Sequence, residues 1–294
     1  MTQRHSLPLL TQSEMRSFRR CARERYYSYV LGRRHRVGAE PLTFGRFVHA
    51  GLQSLWTTDG VVDNAPPPSD PFKRETARVL LAGYVARWGK PEGSLGAEIE
   101  FVAPLINPET GAESRTFALG GKLDAMARIC GRDWIVEHKT SSEDISAGSD
   151  YWKRLRIDTQ ISTYYVGAKA LGYSPFGVLY DVIRKPTIRP RNTDTPESWG
   201  ARLVGDIATR PEFYFQRGEV VRLESEQRDA ALDAWQTARN IAEADKLSRH
   251  PRNADACVRW GRTCDYFGVC TGTESIEDDY LFETKKTKHE ELSK

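Results

Sequence analysis

The sequence predicts an α/β fold in which helices flank a mixed central β-sheet. Two observations support this prediction: predicted helices precede three consecutive strand-like runs, and a helix and a further strand follow those runs. A chain of 294 residues can bury a large core, and this one contains no internal repeat. We therefore expect one domain over residues 1–270, followed by a charged, flexible tail at 271–294.

Helices are predicted where apolar residues recur at helical spacing. The first covers 12–31 with Ser13 as its N-cap, and the second covers 43–57 and opens with Thr43. A loop over 59–71 follows, because three successive prolines exclude regular structure there. The remaining helices are predicted at 72–88, 152–171, 196–209 and 225–247.

Strands are predicted where β-branched and aromatic residues cluster between Gly, Pro or Asp. The three consecutive runs lie at 97–105, 115–129 and 133–138, and two more at 175–183 and 213–223. Side chains two positions apart on a strand share one face of the sheet, which groups candidate functional residues.

Composition excludes a membrane-spanning chain and leaves nucleic-acid binding open. Charged residues make up 28% of the chain and mean hydropathy is −0.57, so we expect a soluble protein. No signal peptide is visible at the N-terminus, which favours a reducing cytoplasm. The net charge of +3 is too small to indicate DNA binding by itself. The local cluster of Lys153, Arg154 and Arg156 is predicted to contact a DNA backbone; the alternative is an ordinary solvated face.

One pattern combines an Asp near one strand with a Glu-x-Lys on the next. Asp124 ends the run Gly120–Asp124, and Glu137 and Lys139 lie two positions apart, so that they share a strand face. Two carboxylates can hold Mg²⁺, which prefers oxygen ligands, and bound metal activates water and stabilises charge on a scissile phosphate. A nearby lysine could orient that water and offset the phosphate charge. The pattern favours a metal-dependent nuclease; the alternative is a turn aspartate with an ordinary surface glutamate and lysine.

Four of the five cysteines form a second candidate site. Cys257, Cys264 and Cys270 lie within fourteen positions, and Cys21 stands alone on the first helix. In a reducing compartment this set indicates metal binding rather than disulfides. The spacing lacks the tight Cys-x2-Cys knuckles of zinc ribbons and suits a [4Fe–4S] cluster better, with zinc as the alternative. Such a site would join the N-terminal helix to the C-terminal segment as a structural staple.

These residues resemble the RecB-like nucleases of the PD-(D/E)XK superfamily. In chain order, the motifs that carry the resemblance are Leu10-Thr11-x-Ser13-x6-Arg20-Cys21 with Arg25-Tyr26-Tyr27, Gly45-Arg46-Phe47-Val48-His49, Glu98-Ile99-Glu100-Phe101, Gly121-Lys122-Leu123-Asp124, Val136-Glu137-His138-Lys139-Thr140 and Gln160-x3-Tyr164. The four cysteines resemble the cluster of AddB-type and CRISPR-adaptation nucleases. Two departures are Ala22, where the family often has Pro, and the six residues that separate Cys257 from Cys264.

The resemblance implies a restriction-endonuclease-like core with Mg²⁺ or Mn²⁺ as cofactor. It implies that His49 and Glu98 join Asp124 and Glu137 as metal ligands. The residues that it assigns to catalysis are Asp124, Glu137, Lys139, Gln160 and Tyr164.

The function expected from all of this is a metal-dependent DNA exonuclease of phage or bacterial type, acting in recombination, repair or DNA processing. The alternative is a catalytically weak module that binds DNA ends or a partner and uses an iron–sulfur cluster for structure or redox sensing. The sequence has no phosphate-binding loop of the Gly-x4-Gly-Lys-(Ser/Thr) type, so any motor must be a separate protein. The expected partners are linear DNA with free ends and a recombinase or helicase, and no membrane.

Overall fold

The computed structural model describes residues 7–36, 40–57, 65–89, 92–259 and 261–292. Residues 59–64 of the loop predicted at 59–71 lie outside this set. The helices are α1 (Gln12–Arg20), α2 (Ala22–Arg25), α3 (Glu40–Trp56), α4 (Pro71–Trp88), α5 (Asp150–Arg154), α6 (Thr159–Ala170), α7 (Pro196–Thr209), α8 (Pro211–Tyr214), α9 (Glu224–Lys246) and α10 (Phe267–Thr271). The strands are β1 (Leu9–Thr11), β2 (Arg33–His35), β3 (Ser94–Ile106), β4 (Glu113–Ile129), β5 (Arg132–Ser141), β6 (Pro175–Arg184), β7 (Phe215–Val220), β8 (Val258–Arg259), β9 (Arg262–Thr263) and β10 (Phe282–Thr284).

Six of these strands form one mixed sheet, which confirms the predicted fold class. The hydrogen-bonded order is β1-β4-β5-β6-β7, and β3 also pairs with β4. Strand β5 runs antiparallel to β4 and parallel to β6, while β7 is antiparallel to β6. None of the described helices is long and apolar enough to cross a membrane.

Residue contacts divide the chain into two compact units, where the sequence predicted one domain over 1–270. Unit one comprises Met1–Gly38, Glu100–Lys122 and Leu223–Lys294, and unit two comprises Ala39–Ile99 and Leu123–Arg222. The long strands β3 and β4 each contribute to both units.

The main core of unit two lies among helices α3, α4 and α7 and the end of the α8–β7 segment. Its buried side chains include Val48, Leu80, Trp199 and Phe215. The indole Nε1 of Trp199 donates to the Thr76 hydroxyl at 2.9 Å, so that this large ring is buried without losing its hydrogen bond.

The first predicted helix is broken in the structure of unit one. Helix α1 begins after Thr11, not Ser13, because the Thr11 hydroxyl accepts from the Glu14 amide at 3.2 Å. At Cys21 the backbone is extended (φ −162°, ψ 115°), and α2 and a π-helix follow it. The loop after α9 supplies the reason, because Asn253 donates to the carbonyl of Arg20 at 2.8 Å and so satisfies a group that a continuous helix would bond internally.

The segment expected to be a flexible tail instead forms part of unit one. Strand β10 pairs antiparallel with β2, and Phe282 is completely buried against Tyr266, with the two rings stacked at 5.9 Å. Arg34 forms ion pairs with Glu283 at 2.5 Å and Glu290 at 2.6 Å. The acidic residues of this segment thus complement the basic residues of β2, and one buried aromatic ring anchors it.

A buried ion pair stabilises unit one, and its removal should be costly. Arg25 is 1% exposed and donates from Nε and NH2 to Glu14 Oε1 at 2.8 and 2.7 Å, with Asp245 as a second carboxylate partner. We expect Arg25→Met to lower the free energy of unfolding by about 3 kcal/mol, because the fully buried Glu14 loses two hydrogen bonds from a buried guanidinium and is left with the more exposed Lys288 at 3.0 Å. Urea unfolding at pH 7 measures this. Arg78→Met, which removes an ion pair on the surface, is the control and should cost under about 1 kcal/mol; equal losses in the two variants would contradict the prediction.

Candidate active site

Asp124 and Glu137 face each other where strands β4 and β5 separate. The last residues paired in register are Ala125 and Val136, so Asp124 and Glu137 are the next positions. Beyond that point the Asp124 carboxylate, not a carbonyl, accepts the main-chain N–H of His138 at 2.9 Å. The side chain of Asp124 is 16% exposed and that of Glu137 is 1% exposed. Strands β4 and β5 therefore separate at this point, and the two carboxylates lie where they separate.

Burial and like charge make Glu137 an unusual carboxylate. Burial raises the pKa of Glu137, the negative charge of Asp124 raises it further, and Lys139 opposes both. Oxygen Oε2 of Glu137 is buried and has no hydrogen-bond partner among the described residues. The ammonium of Lys139 forms an ion pair with the other oxygen, Oε1. The site therefore holds more negative charge than its own groups satisfy.

Lys139 stays charged in this setting although its environment is enclosed. Burial alone would lower its pKa, but Glu137, Tyr180 and Asp124 outweigh that effect and the pKa of Lys139 is raised. Its side chain is still 33% exposed. A cation thus stands between a buried carboxylate and solvent.

Helix α6 carries the predicted glutamine and tyrosine to the same carboxylate. Gln160 Nε2 lies 3.3 Å from Glu137 Oε1 and donates to the Tyr164 hydroxyl at 2.5 Å. Tyr164 is 6% exposed, and burial, followed by the charges of Glu137 and Asp124, raises its pKa well above the usual value. The helix predicted at 152–171 is not continuous, because Asp158 starts α6 anew by accepting the Gln160 amide at 2.9 Å.

The two other predicted metal ligands, His49 and Glu98, lie on other elements than Asp124 and Glu137 do. Nδ1 of His49, on α3, lies 3.7 Å from Asp124 Oδ2, which is too long for a hydrogen bond but within reach of an electrostatic contact. Glu98 lies in β3 with a left-handed backbone (φ 52°), a conformation rare for residues other than glycine and often found at functional sites. Within the described ranges, no group of three or more His, Cys, Asp or Glu side chains is placed to hold a metal ion.

The groups present nevertheless fit a hard divalent cation. Such ions are usually bound by one or two carboxylates, with water and substrate phosphate completing the oxygen shell. Asp124 and Glu137 supply two carboxylates at one edge of the sheet, and Glu137 Oε2 is a buried acceptor without a hydrogen bond. A cation there would stabilise the charged form of Glu137, which burial and Asp124 now disfavour.

A buried polar network that the sequence pattern did not predict adjoins the site at His138. His138 and Asp181 are register partners on β5 and β6, and His138 Nδ1 lies 3.5 Å from Asp181 Oδ2. The Tyr84 hydroxyl donates to the same oxygen, and Arg217 NH2 reaches it at 3.2 Å. Burial would raise the pKa of Asp181, but His138, Arg217 and Tyr84 together lower it. The sequence contained one indication of this network, the single aspartate Asp181 inside the apolar strand Pro175–Arg184, because a buried carboxylate requires partners.

The family model described as "PD-(D/E)XK nuclease superfamily" matches residues 9–271. The chain belongs to this superfamily. None of the curated proteins matches the sequence.

Two solved structures are similar to this chain at low sequence identity. A protein from Eubacterium rectale described as a "Putative exonuclease" is similar with a TM-score of 0.50 and 12% identity, over 91% of this chain and 88% of that one. SSO0001 matches with a TM-score of 0.39 and 14% identity, over 87% of this chain and 84% of that one. At 12% identity the likeness to the Eubacterium rectale protein concerns the fold alone.

The four predicted cluster cysteines of this PD-(D/E)XK chain surround one small cavity in unit one. Cys21, Cys257, Cys264 and Cys270 all line it, and it encloses about 20 Å³, room for about one water molecule. Burial raises the pKa of the Cys264 and Cys270 thiols, which favours the protonated form over the metal-binding thiolate. In the described part of the chain these thiols form no metal-binding group.

The predicted DNA-binding cations lie at the surface beside helix α6. Lys153 pairs with Asp150 at 2.9 Å, and Arg154 pairs with Glu143 at 2.6 Å and stacks on Tyr151. Arg156 is also exposed. Exposed ion pairs contribute about 0–1 kcal/mol, so phosphate groups could displace these carboxylates at little cost.

Divalent metal should stabilise the protein, and the effect should depend on pH through Glu137. With its folded-state pKa raised, Glu137 contributes stability that is present below its unfolded value and is lost as the pH rises through the folded value. A cation offsets that loss only where Glu137 is ionised. At a Mg²⁺ concentration 100 times Kd we expect a stabilisation of about 2.7 kcal/mol, or about 4 °C in Tm, at pH 8 and a smaller shift at pH 5.

Calorimetry in Mg²⁺ and in EDTA across this pH range measures the shift. Asp124→Asn is the control and should abolish most of it, because one of the two carboxylates is neutralised. An equal shift in the variant, or a larger shift at acid pH, would contradict metal binding at this pair.

Proposed function

We propose that this protein is a RecB-like, Mg²⁺- or Mn²⁺-dependent exonuclease that hydrolyses phosphodiester bonds of linear DNA in recombination, repair or DNA processing. The observation that carries the proposal is the Asp124–Glu137 pair, in which the buried Glu137 Oε2 has no hydrogen-bond partner among the described residues and Lys139 contacts the same carboxylate. A site with excess negative charge and an adjacent cation suits a divalent metal and a phosphate together.

The residues divide the chemistry among them. Asp124 and Glu137 would hold the metal, which supplies an activated water and neutralises charge on the scissile phosphate. Lys139, in contact with Glu137 and open to solvent, orients that water and offsets the charge that develops on the phosphate. Gln160 holds Glu137 Oε1 and Tyr164 in place, and His49 does the same for Asp124 by electrostatic contact.

The exonuclease assignment is supported by the description of the similar Eubacterium rectale protein as a "Putative exonuclease", and DNA of two shapes tests it. Wild type is incubated with end-labelled linear DNA and with a covalently closed circle of the same sequence, in Mg²⁺, Mn²⁺ and EDTA. We expect digestion of the linear DNA alone, and only with metal. Cleavage of the circle at a similar rate would show an endonuclease instead.

We further propose that Cys21, Cys257, Cys264 and Cys270 bind a [4Fe–4S] cluster of the AddB type in a reducing cytoplasm, with zinc as the alternative metal. The placement of all four thiols around one cavity supports this. Iron, sulfide and zinc content of protein purified without oxygen, compared with Cys21→Ser, decides between the metals. Protein that holds neither metal would reject both.

A second candidate function is a DNA-end-binding module with weak or no catalysis, which docks a recombinase or helicase. The observation that favours it is the absence, among the described residues, of a ready-made group of three metal ligands. Binding of linear DNA without cleavage under every metal tested would establish this function in place of the nuclease.

A further inference from the structure

Ile157 is an apolar side chain that the fold holds out into solvent next to the candidate active site. It ends the single 3-10 turn Leu155–Ile157, which lies between α5 and α6. Its exposure is 85%, the highest of any large aliphatic residue in the described part of the chain. A single exposed apolar residue is ordinary on a protein surface. Ile157 differs from the ordinary case in the hydrogen bonds that hold its turn and in the charged residues beside it.

A buried arginine fixes this turn. Arg222 is 6% exposed, and its guanidinium donates to two carbonyls of the turn, Arg156 O at 2.5 Å and Leu155 O at 2.6 Å, and to Asp158 O just after it at 3.0 Å. Leu155, at the start of the turn, is 2% exposed and anchors it in the core. The backbone on both sides of Ile157 therefore cannot move without breaking charge-assisted hydrogen bonds that a buried guanidinium needs.

The turn is coupled directly to the site. Asp158 caps α6 by accepting the Gln160 amide at 2.9 Å, and the Gln160 side chain contacts Glu137. Three residues span at most about 10 Å, and the Gln160 side chain reaches about 5 Å further to its 3.3 Å contact with Glu137. One strand of duplex DNA advances about 3.4 Å per nucleotide, so a strand whose phosphate lies at Glu137 reaches Ile157 within about five nucleotides of that phosphate.

The charges around Ile157 suit DNA. Arg156 precedes it in the turn, and Lys153 and Arg154 lie one turn earlier, all three exposed. The carboxylates that face Lys153 and Arg154 are themselves exposed, at 95% and 56%, so these pairs can exchange for phosphates. An apolar side chain flanked by cations complements the end of a DNA duplex, where the exposed faces of the last bases lie between the phosphates of the two strands.

We propose that Ile157 is a wedge that packs against the last base pair of duplex DNA and separates the two strands, so that one strand enters the site. Apolar side chains, isoleucine among them, unstack base steps in this way. The inference rests on the proposed function and deepens it: the substrate is the end of a duplex, which the protein opens itself, rather than DNA that is already single-stranded.

The test measures unstacking and cleavage separately. A blunt duplex carrying 2-aminopurine at its terminal pair is mixed with wild type, Ile157→Ala or Leu247→Ala in EDTA, where no metal-dependent cleavage occurs. Leu247 is the matched control, an aliphatic residue 62% exposed in unit one. We expect wild type and Leu247→Ala to raise the fluorescence severalfold and Ile157→Ala to give a small fraction of that rise. In Mg²⁺, Ile157→Ala should digest blunt duplex about tenfold more slowly, equivalent to about 1.4 kcal/mol, and single-stranded DNA within about twofold of wild type.

The outcomes distinguish this proposal from the proposed function. Fluorescence that rises equally with wild type and Ile157→Ala, or that does not rise with wild type, overturns the wedge even if DNA is cleaved. A rise that depends on Ile157, in a protein that cleaves no DNA with any metal, supports the wedge and rejects the exonuclease. An equal loss of Ile157→Ala activity on blunt duplex and on single strands also overturns the wedge, because a strand separator is not needed on a single strand.

Discussion

Asp124→Asn is expected to lower metal-dependent cleavage of linear DNA about a thousandfold. A loss of that size corresponds to about 4 kcal/mol of transition-state stabilisation, in the range that a bound metal supplies. The substitution keeps the shape of the side chain, and the amide oxygen can still accept the N–H of His138 that Asp124 now binds at 2.9 Å. What disappears is the negative charge that faces Glu137.

The same substitution should leave the fold intact or slightly more stable without metal. The charge of Asp124 is one of the causes that raise the pKa of Glu137, so its removal relieves a repulsion between two enclosed carboxylates. The measurement is single-turnover digestion of end-labelled DNA, together with Tm in EDTA. Asp133→Asn is the matched control, because Asp133 lies on the neighbouring strand β5 and its carboxylate accepts a hydrogen bond from Arg128 of β4 at 2.8 Å. If Asp124→Asn cleaved within about tenfold of wild type, the site assignment would be wrong.

Lys139→Met should have the second largest effect, on both activity and stability. The loss of one preorganised cation at a reacting phosphate lowers kcat by about 10²–10³. The stability effect has a defined pH dependence, because the substitution removes the ion-pair partner of a buried Glu137. Without Lys139, the pKa of Glu137 rises further, so the folded state loses more stability as the pH rises. The deficit relative to wild type is then largest at alkaline pH and shrinks toward acid pH, where Glu137 is protonated in both proteins.

Urea unfolding of the Lys139→Met variant between pH 5 and pH 9 in EDTA measures this, with digestion of linear DNA as the second readout. Lys169→Met, at the exposed C-terminal end of α6, is the control and should match wild type in both assays. A stability deficit that is constant across the pH range would show that Lys139 acts by packing rather than through the charge of Glu137.

Several elements could be predicted because neighbouring residues determine them. Helix α7 has the bounds expected from sequence, since Thr195 caps it by accepting the Ser198 amide at 3.3 Å and Pro196 opens it. Strand alternation placed Glu137 and Lys139 on one face, and the structure brings Lys139 onto the Glu137 carboxylate.

Breaks in helices could not be predicted, because the groups that cause them are distant in sequence. The helix expected at 12–31 is interrupted at Cys21 by Asn253, and the helix expected at 152–171 is interrupted after Arg154, where Arg222 binds the carbonyls. Helical periodicity continues through both points, so the pattern gives no sign of the partners that replace the internal hydrogen bonds.

The sequence by itself determined the fold class, the order of the elements and the carboxylates and lysine of the candidate site, because these follow from local periodicity and spacing. Only the tertiary structure decided which polar groups share a buried environment. It joined Asp181 to Tyr84 and Arg217, ordered the segment around Phe282 against β2, and held Ile157 out in solvent through Arg222. The reason is physical: burial changes the free energy of a charge only through the groups that surround it in space, and those groups come from remote parts of the chain.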